Sequence, residues 1–286
     1  MYPALSPQAI RVRAETLEEA IDAARRGGFA GVEVDPREVA DRVDRQGAEH
    51  VRGLFAAAGI RPAAWRFPVD WRGTEEVWRQ GVDELPRLAE AAAAIGCTRT
   101  SSYVMPSADE RPFEENWRFH VARFTPVASV LAEHGCALGL EFIGPKTLRD
   151  SRRYPFVHTM GGMLELAAAI GPNVGLLLDC WHWYTSHGTL DDLHALRPEQ
   201  VVYVHVNDAP AGIPIDEQVD RVRALPGETG VIDIAGFLHA LRAIGYDGPV
   251  TPEPFKEELR DLPCDNERLR VVGAAMAAIF RQAGLA

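Results

Sequence analysis

Short apolar runs alternate with longer segments of helical period along this chain. The first run, Tyr2–Leu5, is a weak strand signal, and residues 16–28 (TLEEAIDAARRGG) then follow a helical period. Thr16 suits the N-cap of that helix, and Gly27 with Gly28 suits its stop. FAGVEVD (29–35) reads as a second strand with Glu33 near its end, and Pro36 suits the first turn of a helix over 36–59. Further apolar runs are IRPAAWRF (60–67), CTRTSSYVM (97–105), ALGLEFIG (137–144), VGLLLD (174–179), VVYVHVND (201–208) and PVTPEPF (249–255). Helical segments separate them at 74–96, bent or restarted near Pro86, and at 113–135, 161–171, 189–196 and 234–245. A last helix covers roughly 266–283.

Eight strand signals, each followed by a helix, predict a parallel sheet. The unbroken Leu and Val runs suit strands covered on both faces. Eight such units in 286 residues predict one closed (β/α)8 TIM barrel spanning 1–286. A doubly wound open sheet is the alternative, weakened because no G-x-G-x-x-G follows an early strand and no P-loop occurs. The Pro- and Gly-rich stretch 208–233 reads as an insertion at one face of the barrel.

Composition narrows the function classes. Asp plus Glu number 41 against 30 Lys plus Arg, so the formal charge is −11 and a phosphate backbone would be repelled. No apolar run approaches the ~20 residues that span a bilayer, and the N-terminal stretch has no signal-type apolar region. Cys97, Cys136, Cys180 and Cys264 are far apart and form no C-x-x-C pair, which suits free thiols in a reducing compartment. The expectation is a cytoplasmic protein with neither a nucleic-acid nor a membrane partner.

Four consecutive apolar runs each carry a polar residue near the C-terminal end: Glu141, Asp179, His205 and Glu253. In a barrel those strand ends converge on one mouth, where active sites sit. A carboxylate among Leu and Phe is costly unless it is paired or bound to a metal, and three carboxylates repel one another until a cation joins them. An oxygen-rich set with one imidazole suits Mn²⁺, Mg²⁺ or Co²⁺, with Zn²⁺ and iron as alternatives. His182, three residues after Asp179, could meet a substrate hydroxyl or oxyanion or be a hydrogen-bonded loop histidine. Arg223, in a Gly/Pro loop, could clamp a substrate oxygen or be a solvated surface arginine. Trp65, Phe67, Trp181, Trp183 and Tyr184 could line an apolar wall or belong to the core. Asn207 and Asp208 follow His205 closely enough to orient it from behind.

These residues, in this order, resemble the xylose-isomerase-like TIM-barrel superfamily of sugar isomerases and epimerases, which includes ketose 3-epimerases, hydroxypyruvate isomerases and inosose dehydratases. The resemblance rests on the strand-end Glu141, the D-x-x-H of Asp179 and His182, and the H-x-x-D of His205 and Asp208. It rests also on the R-x-x-P-G of Arg223, the E-P of Glu253, and FAGVEVD with Glu33. It covers essentially the whole chain and implies one divalent ion, Mn²⁺ first among Co²⁺, Mg²⁺ and Zn²⁺, held by Glu141, Asp179, His205 and Glu253. It further implies Glu141 and Glu253 as the acid–base pair moving a proton next to a carbonyl, through an enediolate. His182 and Arg223 would then bind the carbonyl side of a small carbohydrate, with Glu33, Trp65 and Trp181 as further substrate contacts. A homodimer or homotetramer is implied as well.

One position departs from the ketose 3-epimerase pattern. Where those enzymes place a second, substrate-contacting glutamate, this chain has Thr147 with Lys146 beside it. The segment 144–154 is basic, so Lys146 is expected to meet an anionic substrate group, against the alternative of a solvated loop. The leading expectation is a metal-dependent isomerase or epimerase of a sugar, sugar phosphate or related polyol ketone. A lyase of inosose-dehydratase type on the same site is the alternative, and a non-catalytic sugar-binding barrel a distant one. A zinc-dependent DNA-repair nuclease of the same superfamily is disfavoured by the charge and by the single histidine among the strand-end ligands.

Overall fold

Local signals build the elements first. The Thr16 hydroxyl accepts from the Glu19 N–H and the Glu19 carboxylate accepts from the Thr16 N–H, a closed capping box that starts the helix Leu17–Arg26. Asp35 accepts from the N–H groups of Arg37 and Glu38, with Pro36 in the first turn, and starts the helix Pro36–Gln46. The expected single helix over 36–59 is two helices, because Gly47 takes φ 83 and separates Pro36–Gln46 from Ala48–Ala58. The helix Glu75–Ala94 runs through Pro86 without restarting.

The structure, a computed structural model, describes residues 1–285. Its barrel strands are β1 (Tyr2–Leu5), β2 (Gly31–Val34), β3 (Arg61–Arg66), β4 (Arg99–Val104), β5 (Ala137–Phe142), β6 (Val174–Asp179), β7 (Val201–Val206) and β8 (Pro249–Pro252). Each pairs in parallel with the next, and β8 closes on β1 through Tyr2 opposite Pro249 and Pro3 opposite Val250. That closure excludes the open-sheet alternative. A two-residue antiparallel pairing of Ser107–Ala108 with Tyr154–Pro155, absent from the sequence reading, ties the loop after β4 to the loop after β5. No helix among the described residues is long and apolar enough to cross a membrane.

β7 is buried at every position, as a strand between barrel interior and helix layer must be. Inside the barrel, Ala64, Leu177 and Tyr203 form a separate apolar cluster, and the Tyr203 hydroxyl bonds the Thr251 hydroxyl at 2.6 Å. This plug lies below the C-terminal strand ends. The Tyr203 ring meets the His205 ring edge-on at 5.0 Å and so supports it from below.

Candidate functional site

Strand register brings the four strand-end residues together. Asp179 lies opposite His205 across β6 and β7. His205 lies opposite Thr251 across β7 and β8, and Glu253 follows two residues later on the same face. Glu141 is the penultimate residue of β5, next to β6. One ligand atom from each of Glu141, Asp179, His205 and Glu253 falls within 4.8 Å of the others. His205 Nδ1 stands 3.5 Å from Glu253 Oε2 and 3.8 Å from Glu141 Oε1. Glu141 Oε1 and both His205 ring nitrogens are buried without a hydrogen-bond partner. Buried orphan lone pairs of oxygen and imidazole type, pointing at one another, are what a divalent cation satisfies. These residues therefore fit a metal.

The charges are strongly coupled. Burial, then the neighbouring Glu253, pushes the Glu141 carboxyl well above the ordinary range. Burial would raise Glu253 too, but His205 and Arg223 outweigh it and hold Glu253 low. Burial would lower His205, but Glu253 and Glu141 outweigh it and push the imidazole up to about 9.

Arg223 is the hub of the cluster. Its side chain is 1% exposed, and Nη1 donates to Asp179 Oδ2 at 2.8 Å and to Glu253 Oε2 at 3.2 Å. Nη2 donates to Asp220 Oδ1 at 3.0 Å. The guanidinium sits 4.7 Å from the centres of both the Trp181 and Phe255 rings. So Arg223 is no solvated surface arginine.

Both ring nitrogens of His182 are engaged. The Gly144 N–H donates to His182 Nδ1 at 3.2 Å. Nε2 lies 3.1 Å from Arg223 Nη2. The imidazole and the guanidinium thus meet directly on the cavity wall. Burial, reinforced by Arg223, lowers His182 to about 3, so the imidazole is neutral.

The mouth opens into two adjoining cavities of about 590 and 460 Å³. Arg72, Tyr103, Glu141, Glu253 and Phe255 line both. His182 and Arg223 lie on the wall of the larger one; Glu33, Phe67 and His205 lie on the smaller. Glu33 also accepts from the Ser6 hydroxyl at 3.2 Å.

Several expected contacts lie elsewhere. Lys146 faces outward on the short helix Lys146–Arg149, paired with Asp150 and off the cavity walls; Thr147 and Leu148 line the larger cavity instead. Trp65 is 1% exposed in the core, because Ala64 takes the inward position on β3 and alternation turns Trp65 out. Trp181 is fully buried beneath Arg223 and supports it, while Trp183 packs on Phe237. Asn207 orients Asp179, not His205: its Nδ2 donates to both Asp179 oxygens at 3.0 and 3.2 Å. The Asp208 carboxylate takes the N–H groups of Ala209, Thr229, Gly230 and Ile232 and folds the 208–233 loop. Sequence reasoning missed Arg72, Tyr103, Asp220, Arg221 and Phe255. Of these, only Phe255, directly after the E-P pair, carried a signal in its position.

Comparisons with known proteins agree with this geometry. A family model described as xylose isomerase-like TIM barrel matches residues 21–279. A xylose isomerase domain protein from Alicyclobacillus acidocaldarius subsp. acidocaldarius superposes with a TM-score of 0.83 and 32% identity over 99% of each chain. The inosose isomerase of Halalkalibacterium halodurans is 25% identical over 219 residues, which is 76% of this chain and 74% of that protein. The 3-dehydroshikimate dehydratase of Pseudomonas putida is 24% identical over 256 residues, 87% of this chain and 37% of that larger protein.

Proposed function

The chain belongs to the xylose isomerase-like TIM barrel family, and we propose that it is a divalent-metal-dependent isomerase or epimerase of a polyol-type ketone. The observation that carries this reading is the pairing of Glu141 and Glu253. Both line both cavities and both flank His205, so each carboxyl group faces the same substrate space. Two carboxyl groups on one substrate space can take a proton from the substrate and return one to it.

Glu141, Asp179, His205 and Glu253 would hold the ion, with Mn²⁺ as our first choice on donor chemistry. Once bound, the ion supplies Lewis-acid stabilisation of negative charge at a carbonyl oxygen. The residues do the rest. Glu253, held ionised by His205 and Arg223, takes the proton from the carbon next to the carbonyl. Glu141, across His205 from Glu253, delivers one to the enediolate. Delivery to the opposite face inverts that carbon, and delivery to the former carbonyl carbon shifts the carbonyl. Solvent then returns a proton to Glu141 and removes one from Glu253. His182 and Arg223, in contact with each other at 3.1 Å on the wall of the larger cavity, would bind the carbonyl side of the substrate and stabilise developing oxyanion charge.

A lyase is the second reading, favoured by the similarity to a dehydratase and by the sufficiency of the same two glutamates. One would remove the proton and the other would protonate a departing β-hydroxyl. The test is a panel of ketoses, inososes and their phosphates, incubated in D₂O with Mn²⁺ and followed by NMR. Deuterium at a carbon next to the carbonyl with an unchanged formula supports isomerisation; loss of water supports the lyase. Glu141→Gln and Glu253→Gln should each slow exchange by about 10²–10⁴-fold. Unchanged exchange and unchanged metal content in Glu141→Gln would sink both readings.

A further inference from the structure

Two guanidiniums at the rim of the larger cavity have no carboxylate partner. Arg72 and Arg221 both line it, both are exposed, and neither forms an ion pair among the described residues. The third lining arginine, Arg223, is spent on Asp179, Glu253 and Asp220. Aromatic faces hold the rim pair instead. The Arg72 guanidinium lies 4.9 Å from the Tyr103 ring centre and 5.7 Å from that of Trp71. The Arg221 guanidinium lies 5.6 Å from the Phe255 ring centre. Packing on a ring positions a guanidinium while leaving its N–H donors unspent.

The backbone is bent to keep this arrangement. Arg221 and Phe255 are non-glycine residues in the left-handed region, at φ 65 and 41. Such a conformation persists where the surrounding structure over-determines it. The charge balance points the same way. The chain is acidic overall, and the cavity wall carries Glu141, Asp220 and Glu253, yet two cations are left free at its entrance. Once a divalent ion offsets the cluster carboxylates, the rim has cationic charge in excess.

We propose that the substrate carries an anionic group, a carboxylate or a phosphate, which Arg72 and Arg221 bind at the rim while the reacting carbonyl lies between Glu141 and Glu253. This rests on the isomerase or lyase reading for the carbonyl end; the anion site itself stands on the two arginines. It relocates the anion contact expected of Lys146, whose ammonium is engaged by Asp150 outside the cavity. Planar bidentate donors suit both anions, so the experiment has an arm for each.

Ligand-observed NMR on the magnesium-loaded protein measures binding of cyclohexanecarboxylate, inorganic phosphate and neutral cyclohexanecarboxamide. Arg72→Gln and Arg221→Gln should each weaken one or both anions about tenfold and leave the carboxamide unchanged, as expected for losing a charge-assisted contact. The anion that responds identifies the group. Lys146→Gln should change nothing. The proposal is overturned if the wild type binds both anions no more tightly than the carboxamide, or if both arginine variants stay within twofold of wild type. Anion loss in the variants, with no deuterium exchange in any ketone, would remove the isomerase reading and keep the anion site. Exchange of neutral ketones with unaffected anion affinity would do the reverse.

Discussion

Replacing Arg223 by Gln should damage the metal-free protein far more than the metal-loaded one. The guanidinium is 1% exposed and balances Asp179 at 2.8 Å and Glu253 at 3.2 Å, both within the four-residue cluster. Removing one partner of a buried ion pair leaves an uncompensated charge and costs about 3–5 kcal/mol. Stacking on Trp181 and Phe255 is weakened too, so the upper half of that range applies to the chelated protein. A divalent ion in the cluster neutralises the same carboxylates, so it should recover at least half of the loss. It should also bind the variant more tightly, because the cation competing for Asp179 and Glu253 is gone. Urea unfolding of wild type and Arg223→Gln, each with a chelator and with excess Mn²⁺, measures all four stabilities. Equal losses with and without metal would refute the idea that ion and guanidinium share these carboxylates. A loss under about 1 kcal/mol with chelator would refute the buried-pair reasoning itself.

Two further changes test other parts of the structure. His120 is buried among Trp71, Phe124 and Phe156, donates from Nδ1 to the Asn116 carbonyl at 2.7 Å, and is lowered by burial from 6.5 to about 4. Its folded value lies below its unfolded one, so its contribution is full above pH ~6.5 and is lost as pH falls towards ~4, by about 1.4 kcal/mol per pH unit. His120→Gln should reduce the fall in unfolding free energy by that slope; an unchanged slope between pH 6.5 and 4.5 would show that His120 does not titrate on unfolding. At Gly144 an added Cβ would lie 2.3 Å from the His182 carbonyl oxygen and 3.0 Å from the Ser186 nitrogen, both backbone atoms. Gly144→Ala should therefore cost about 1–3 kcal/mol and slow deuterium exchange by displacing His182, whereas wild-type exchange in a folded variant would detach His182 from the chemistry.

The barrel and its four-residue cluster were legible in the chain because both are written in strand alternation. An unbroken apolar run that ends in a single carboxylate or imidazole marks a strand and its C-terminal end together, and closure of eight such strands leaves those ends nowhere to go but one mouth. Glu141, Asp179, His205 and Glu253 needed no loop conformation to meet. The rim did. Arg221 and Phe255 reach the cavity through left-handed backbone that no periodicity announces, and Arg72 sits in a turn after β3 whose direction is set by packing. The basic character of 144–154 was visible, but not that Asp150 engages Lys146 within one helical turn.

Where the local reading went wrong, a stricter use of alternation would have corrected it. Ala64 points into the barrel, so Trp65 must point out to the helices, whatever its aromatic character suggests about a binding wall. The same rule separates Asn207 from Asp208. Counting from His205, Asn207 returns to the inward face and Asp208 falls on the other. Asn207 accordingly grips Asp179 inside the cluster, while Asp208, one residue further on, gathers four backbone N–H groups outside it and holds the loop that carries Arg221 and Arg223. Neighbouring residues thus serve the two ends of the proposed substrate by different routes. Asn207 acts on the carbonyl end through a metal ligand, and Asp208 acts on the anionic end through the fold of the rim. Asp208→Asn should therefore disturb anion affinity before it disturbs metal affinity.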